Sequence, residues 1–214
     1  MTTSFSGEAV AAALTRASQT LVDQADYLTK LDQAIGDGDM GITMGRIGAA
    51  LLTYVEENEI TDIGQYLAKA GMTANKAGPS TMGTLFSTAL MRAGKAARGK
   101  TELTSTDLAD MYVAADEGIA ERGKANLGDK TIRDALTPSQ EAFTAAITEG
   151  ATPGEAIALA IDAAKSGRDS VTPQRSKIGR AGWVGERTEG QIDPGCEMLV
   201  LLSVSYTHLT LPTN

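Results

Sequence analysis

Apolar residues recur every three or four positions along nearly the whole chain. Val10, Leu14, Ala17, Leu21, Ala25, Leu28, Leu31 and Ile35 mark one face of a long helix, which Gly36-Asp37-Gly38-Asp39 ends. A second helix is predicted from Gly41 through Leu51 and Val55, a third over about 60–76, and a fourth over about 83–97 with Leu85, Ala89 and Ala93 on one face. Thr104 caps the next helix, with Asp107 at its third position. Thr152-Pro153-Gly154-Glu155 is a capping box with proline first. Between them, 131–148 reads as a helix interrupted or kinked near Pro138. Residues 175–194 are rich in glycine and charge without periodicity and read as a long loop; a last apolar run begins near Cys196. No strand, repeat or linker is evident. The pattern predicts one all-α domain of about eight helices with short connections and antiparallel neighbours. It is expected to span 1–202, leaving 203–214 as an irregular, non-native-looking tail to which no role is given, His208 included.

Composition narrows the chemistry. The 214 residues carry 19 Lys+Arg against 27 Asp+Glu, a formal net charge of −8, with one His, one Cys and 23 Gly. One cysteine cannot form an internal disulfide. One histidine, near the end of the sequence, leaves no material for a zinc finger or a Ser-His-Asp triad. The acidic balance argues against non-specific nucleic-acid binding. The longest apolar stretch, residues 198–204, is far short of the ~20 residues that span a bilayer. The N-terminus lacks the basic start and apolar run of a signal peptide, so a cytoplasmic, reduced protein without membrane contact is expected.

Two pattern matches are rejected on context. Gly94-Lys-Ala-Ala-Arg-Gly-Lys-Thr101 satisfies GxxxxGK[ST], but that pattern works between a buried strand and a helix. Here it follows helical residues and precedes what reads as a loop before the Thr104 cap, so it is a helix C-terminus with cations and a glycine stop. Gly36-Asp-Gly-Asp-Met-Gly41 matches GxGxxG, yet follows a helix, and its aspartates would repel a bare pyrophosphate.

Those aspartates suggest another role. Asp32, Asp37 and Asp39 place three carboxylates within eight residues around a glycine-broken turn. They repel one another unless a cation sits among them, and oxygen-only donors select Mg²⁺ or Ca²⁺. The twelfth position of an EF-hand loop counted from Asp37 is Gly48 instead of Glu, which favours Mg²⁺. The competing reading is that Asp39 merely caps the next helix. Gly78-Pro-Ser-Thr-Met-Gly83 precedes a helix, where free amides and the dipole favour an anion. Gly128-Asp-Lys-Thr131 opens another helix and adds a cation, while Gly179-Arg180 and Asp193-Pro194-Gly195 bracket the late loop.

Together these segments resemble the L subunit, the nucleotide-binding part, of dihydroxyacetone kinases (the DhaL or DAK2 family). The matching stretches are Leu31 to Asp39, Gly71-Met-Thr73, Arg122-Gly-Lys-Ala125, Gly128 to Thr131, Gly179-Arg-Ala181, Gly185-Glu-Arg187 and Asp193-Pro-Gly195, in order over about 8–202. The resemblance implies a barrel of eight antiparallel helices with ADP or ATP at one end. It assigns Asp32, Asp37 and Asp39 to two Mg²⁺ ions. It places Met40, Gly41, Ile42, Thr43, Thr81 and Met82 on the nucleotide, with Ser80 a neighbouring phosphate ligand. Gly123 and Ile132 would line the nucleotide pocket, Arg180 would contact the nucleotide and act in catalysis, and Asp193, Pro194 and Gly195 would close over it. The family often has His and Asn where this chain has Met40 and Thr43, and its glycine loop usually carries more glycines.

In these kinases the sugar is bound through a histidine of a separate K subunit, and this chain has no histidine suited to that task. The resemblance therefore implies a phosphotransferase subunit that passes a phosphoryl group from Mg-bound nucleotide to a small ketose held by a K-type partner. A phosphoenolpyruvate-dependent phosphocarrier is a second partner it allows, and a homodimer a further assembly. Two other readings use the same residues: a Mg-ADP-loaded adaptor without turnover of its own, and a metal-dependent phosphatase.

Overall fold

In the computed structural model, which describes residues 4–205, ten helices and two three-residue strands follow one another. They are β1 (Ser4–Ser6), α1 (Gly7–Asp23), α2 (Ala25–Ile35), α3 (Met40–Glu57), α4 (Ile63–Ala77), α5 (Thr81–Ala96), β2 (Glu102–Thr104), α6 (Ser105–Gly123), α7 (Arg133–Thr148), α8 (Pro153–Val171), α9 (Gly179–Val184) and α10 (Pro194–Ser205). A 3-10 turn, Gly185–Thr188, follows α9.

The long helices close on themselves. α1 packs on α3, and α3 to α8 each pack on the next; α8 packs on α10, and α10 returns to α1, while α2 covers α3 and α10. This ring of eight is the barrel the resemblance implies. Its interior is filled by fully buried Leu28, Met44, Ile47, Leu51, Ile63 and Met198, at about 2 kcal/mol of transfer free energy for each such side chain. Helices of the ring approach closely where glycine removes the side chain. A Cβ on Gly64 of α4 would lie 2.4 Å from the Gly94 carbonyl of α5, and one on Gly94 2.6 Å from the Gly64 carbonyl. Gly94 is thus a packing residue inside α5, and Gly99 (φ +81°) turns the chain after it. The phosphate-loop pattern at 94–101 is a helix end, as its context predicts.

Several local expectations change. The first helix is two, because Gln24 (φ −96°, ψ 4°) steps out of helical geometry between α1 and α2. Two strands exist where none was expected: Phe5 pairs antiparallel with Leu103, whose side chain is fully buried. Pro138 does not interrupt α7. The Asp134 carbonyl, which loses its usual i+4 donor at proline, faces Gly167 of α8, where a Cβ would lie 2.0 Å away. The late loop contains α9 and the 3-10 turn. α10 continues through Ser205, past the expected boundary at 202, and the rest of the tail, with His208, lies outside the described residues. No helix among the described residues is long and apolar enough to cross a membrane.

Candidate functional site

The acidic turn is built by its glycines. Asp32 lies in the last turn of α2, and the Gly36 amide caps that helix by donating to the Asp32 carbonyl. A Cβ on Gly36 would sit 2.4 Å from Asp32 Oδ1, and Gly38 adopts φ +76°, so both positions need glycine. The chain folds back until the Met40 amide donates to Asp32 Oδ2 at 3.0 Å. One oxygen each from Asp32, Asp37 and Asp39 then lies within 4.8 Å of the others. Asp39 stands at the N-cap of α3 but makes no side-chain cap bond, so its carboxylate is not consumed by capping. Arg180 of α9 pairs with Asp37 and, at 3.2 Å, with Asp39.

The donor set fits a hard divalent ion. All three donors are carboxylate oxygens, and Asp37 and Asp39 are exposed to an incoming ligand. A Mg²⁺ ion holding oxygens at about 2.1 Å spans roughly 4.2 Å between trans ligands, so carboxylate oxygens up to 4.8 Å apart would have to draw slightly together around one ion.

Beside this turn opens a cavity of about 530 Å³. Of the residues assigned by the resemblance, Asp32, Asp37, Asp39, Met40, Ser80, Thr81, Met82, Gly123, Ile132, Arg180, Asp193, Pro194 and Gly195 all line it. Gly41, Ile42 and Thr43 do not. Gly41 is buried against α2, where a Cβ would meet the Ala25 carbonyl at 2.0 Å, and the Ile42 side chain is half exposed. The Thr43 amide makes the first α3 bond, to Asp39 O, so the amides of Gly41 and Ile42 precede the helical ladder.

Four long helices, α3, α5, α7 and α10, begin at this cavity, as does the short α9, while α2 and α6 end there. Neighbours in the ring therefore run in alternate directions, and four positive dipole ends converge on one space. That space suits a polyanion, with Ile35, Leu85 and Ile119 offering an apolar wall beside it. Ser80 caps α5 by accepting from the Gly83 amide at 3.0 Å. Asp193 starts α10 by accepting from the Cys196 amide at 2.8 Å; its burial pushes its pKa up to about 6. Gly195 lets α10 close on Met82 and Ile132, where a Cβ would meet side-chain carbons at 2.9 and 3.2 Å. A second space, lined by Asn75, Thr84, Arg122 and Arg180, shares the Ser80–Thr81 and Gly123 walls.

Lys130 corrects the sequence reading. It lines the cavity, but its ammonium does not serve as a free cation for phosphate. It donates to the carbonyls of Thr172, Gln174 and Thr188. Sequence reasoning also missed Asp134, whose carboxylate accepts from the Gly128 and Thr131 amides and shapes the start of α7. The Thr-x-x-Asp spacing at 131–134 was the available signal. Arg133, missed too, holds the Ala125 carbonyl at 2.8 Å and pairs with buried Asp116 at 3.5 Å.

The DAK2 domain family matches residues 34–206, and the chain belongs to it. Its resemblance within the family is to the DhaL-type members. It is 32% identical, over 88% of this chain and 90% of that one, to the ADP-binding subunit DhaL of the PEP-dependent dihydroxyacetone kinase of Escherichia coli K12. It is 37% identical, over 81% of each chain, to the ADP-binding subunit DhaL of PEP-dependent dihydroxyacetone kinase 2 of Listeria innocua. The fold matches the crystal structure of the C. freundii dihydroxyacetone kinase in its native form with a TM-score of 0.75 at 22% identity. That match covers 96% of this chain and 35% of the kinase, so this chain spans about a third of that protein.

Proposed function

We propose that this chain is the nucleotide-binding subunit of a dihydroxyacetone-type kinase, passing a phosphoryl group from Mg-bound nucleotide to a small ketose on a separate K-type subunit. The observation that carries the reading is the meeting of three clustered carboxylates with four helix N-termini in one cavity. Carboxylates alone would repel a polyphosphate, and helix ends alone would not hold a metal; a Mg-nucleotide satisfies both. The similarity to two ADP-binding subunits of PEP-dependent kinases supports it, and extends the proposal to a phosphocarrier as the upstream donor.

In this reading Asp32, Asp37 and Asp39 hold the metal, and three carboxylates facing a polyphosphate carry enough negative charge to call for two divalent ions. Bound Mg²⁺ would neutralise phosphate charge and orient the transferred group. Ser80, Thr81, Met82 and the amides of Gly41 and Ile42, which precede the ladder of α3, present donors to the nucleotide, with Met40 and Thr43 beside them. Ile132, Gly123 and the Asp193-Pro194-Gly195 start of α10 wall its base and sugar. Arg180, next to the two outer carboxylates, offsets charge on the group in transfer. No histidine lies among the described residues, so attachment of the ketose falls to the partner.

The test is reconstitution. Chain, K-type subunit, ketose and Mg-ATP (or the phosphocarrier with Mg-ADP) are combined, and ketose phosphate is measured. Product that requires both subunits and is lost with Asp37→Asn supports the proposal. Tight association without product supports the adaptor instead, and phosphate-ester hydrolysis by the chain alone supports the phosphatase.

A further inference from the structure

Lys130 lies in the connection between α6 and α7 with its backbone at φ +62°, and its side chain is only 2% exposed. Its ammonium donates at 2.8 Å to Thr172 O, 2.8 Å to Gln174 O and 2.6 Å to Thr188 O. Three N–H donors meet three carbonyls, so the group is saturated and has nothing left for a phosphate. Burial pulls its pKa below the ordinary lysine value, against the opposing fields of Asp193, Cys196 and Glu189. A cation kept in such a place needs a structural return, because an apolar side chain would fill the volume at less desolvation cost.

The three carbonyls belong to the two limbs of one segment. Residues 172–188 leave the end of α8, run out through α9 and return. Their base is also closed by the Ser176 amide on Thr188 Oγ1 at 2.9 Å and the Gly190 amide on Thr172 O at 2.9 Å. Their tip is α9, none of whose residues is buried, and it carries Arg180. No residue of the tip is buried, so its place is set by the polar base together with the Arg180 pairs to Asp37 and Asp39.

We propose that Lys130 is a positioning residue: its ammonium clamps the two limbs of the 172–188 strap and thereby holds Arg180 over Asp37 and Asp39. The clamp is a feature of the fold; its consequence for phosphoryl transfer rests on the kinase-subunit reading.

Trp183, the only tryptophan, is 92% exposed on α9 and reports on the strap directly. In the full chain, Lys130→Met is expected to keep the far-UV dichroism of the wild type. Trypsin should cut after Arg175, Lys177 or Arg180 about tenfold faster, and Trp183 anisotropy should fall. Transfer with the K-type subunit should drop about tenfold, but less than about twofold when Arg180→Ala is already present. Unchanged strap cleavage and anisotropy would overturn the clamp. An equal loss of transfer in both backgrounds would overturn action through Arg180. If Lys130→Met does not fold, reductive methylation of the native wild-type chain decides: an unlabelled Lys130 beside labelled surface lysines supports the clamp, and a labelled one refutes it. If the wild type transfers nothing, the kinase reading fails, and cleavage and anisotropy alone judge the clamp.

Discussion

Asp32 Oδ2 accepts a hydrogen bond from the Met40 amide at 3.0 Å, tying the end of α2 to the start of α3 across the acidic turn. The same carboxylate thus shapes the turn and offers a metal ligand, and the two roles separate by substitution. Asp32→Asn keeps a carbonyl oxygen for the Met40 amide but removes a charge. Mg-ADP affinity should fall by more than the ~10–100-fold that loss of an outer-shell partner costs, with the metal-free melting temperature unchanged or raised. Asp32→Ala should lose the bond as well, with about 1 kcal/mol of additional destabilisation. Calorimetric titration and thermal melts check both.

Asp193 gives a pH signature. Its carboxyl is buried at the start of α10, and desolvation raises its pKa from 3.8 to about 6 against the help of the Cys196 amide and Lys130. The folded chain therefore binds this proton more tightly than the unfolded chain. Its ionisation costs stability as pH rises from about 4 through 6, by up to about 3 kcal/mol. Asp193→Asn, which keeps the cap acceptor, should abolish that component and match or exceed the wild type at pH 7. Urea denaturation of both chains between pH 4.5 and 7.5 measures the difference.

Cys196 should be silent in the folded state. Its side chain is fully buried, its Sγ donates to the Thr131 carbonyl at 2.9 Å, and burial, reinforced by Asp193, pushes its pKa up. Ellman's reagent should titrate no thiol in the native chain and one in denaturant, the reaction rate following global unfolding.

Gly167→Ala tests the packing of α8 on α7. The added methyl would sit 2.0 Å from the Asp134 carbonyl and 3.0 Å from Pro138 Cγ, in backbone that cannot move aside cheaply. A loss of about 2 kcal/mol or more is expected in urea denaturation. Because Asp134 also braces the turn that leads into α7 through the Gly128 and Thr131 amides, nucleotide affinity should weaken too.

The parts of the molecule legible in the sequence are those written locally. Thr104 with Asp107 and Thr152 with Glu155 both form the full capping boxes that their spacing predicts. The acidic turn is equally local, since Gly36 and Gly38 force it and its three carboxylates lie in one short segment. What was hidden depends on partners distant in the chain or on a pattern that does not change. Nothing at Gln24 interrupts the apolar periodicity that runs from α1 into α2. The β1–β2 pairing joins segments about a hundred residues apart by three residues each. The strap carries no apolar stripe, because α9 buries nothing, so periodicity could not reveal its helix. Lys130 reads as a loop cation, and only the fold brings it to carbonyls 42, 44 and 58 residues away.

The central claim is that the cavity holds a nucleotide through metal bound by the aspartate turn. Its most direct test is titration of ADP into the wild-type chain by calorimetry, once with excess Mg²⁺ and once with EDTA. The predicted result is saturable binding of one nucleotide per chain with Mg²⁺, weakened about a hundredfold or more without it. Nucleotide binding of equal strength in EDTA, or none in either condition, would contradict the account.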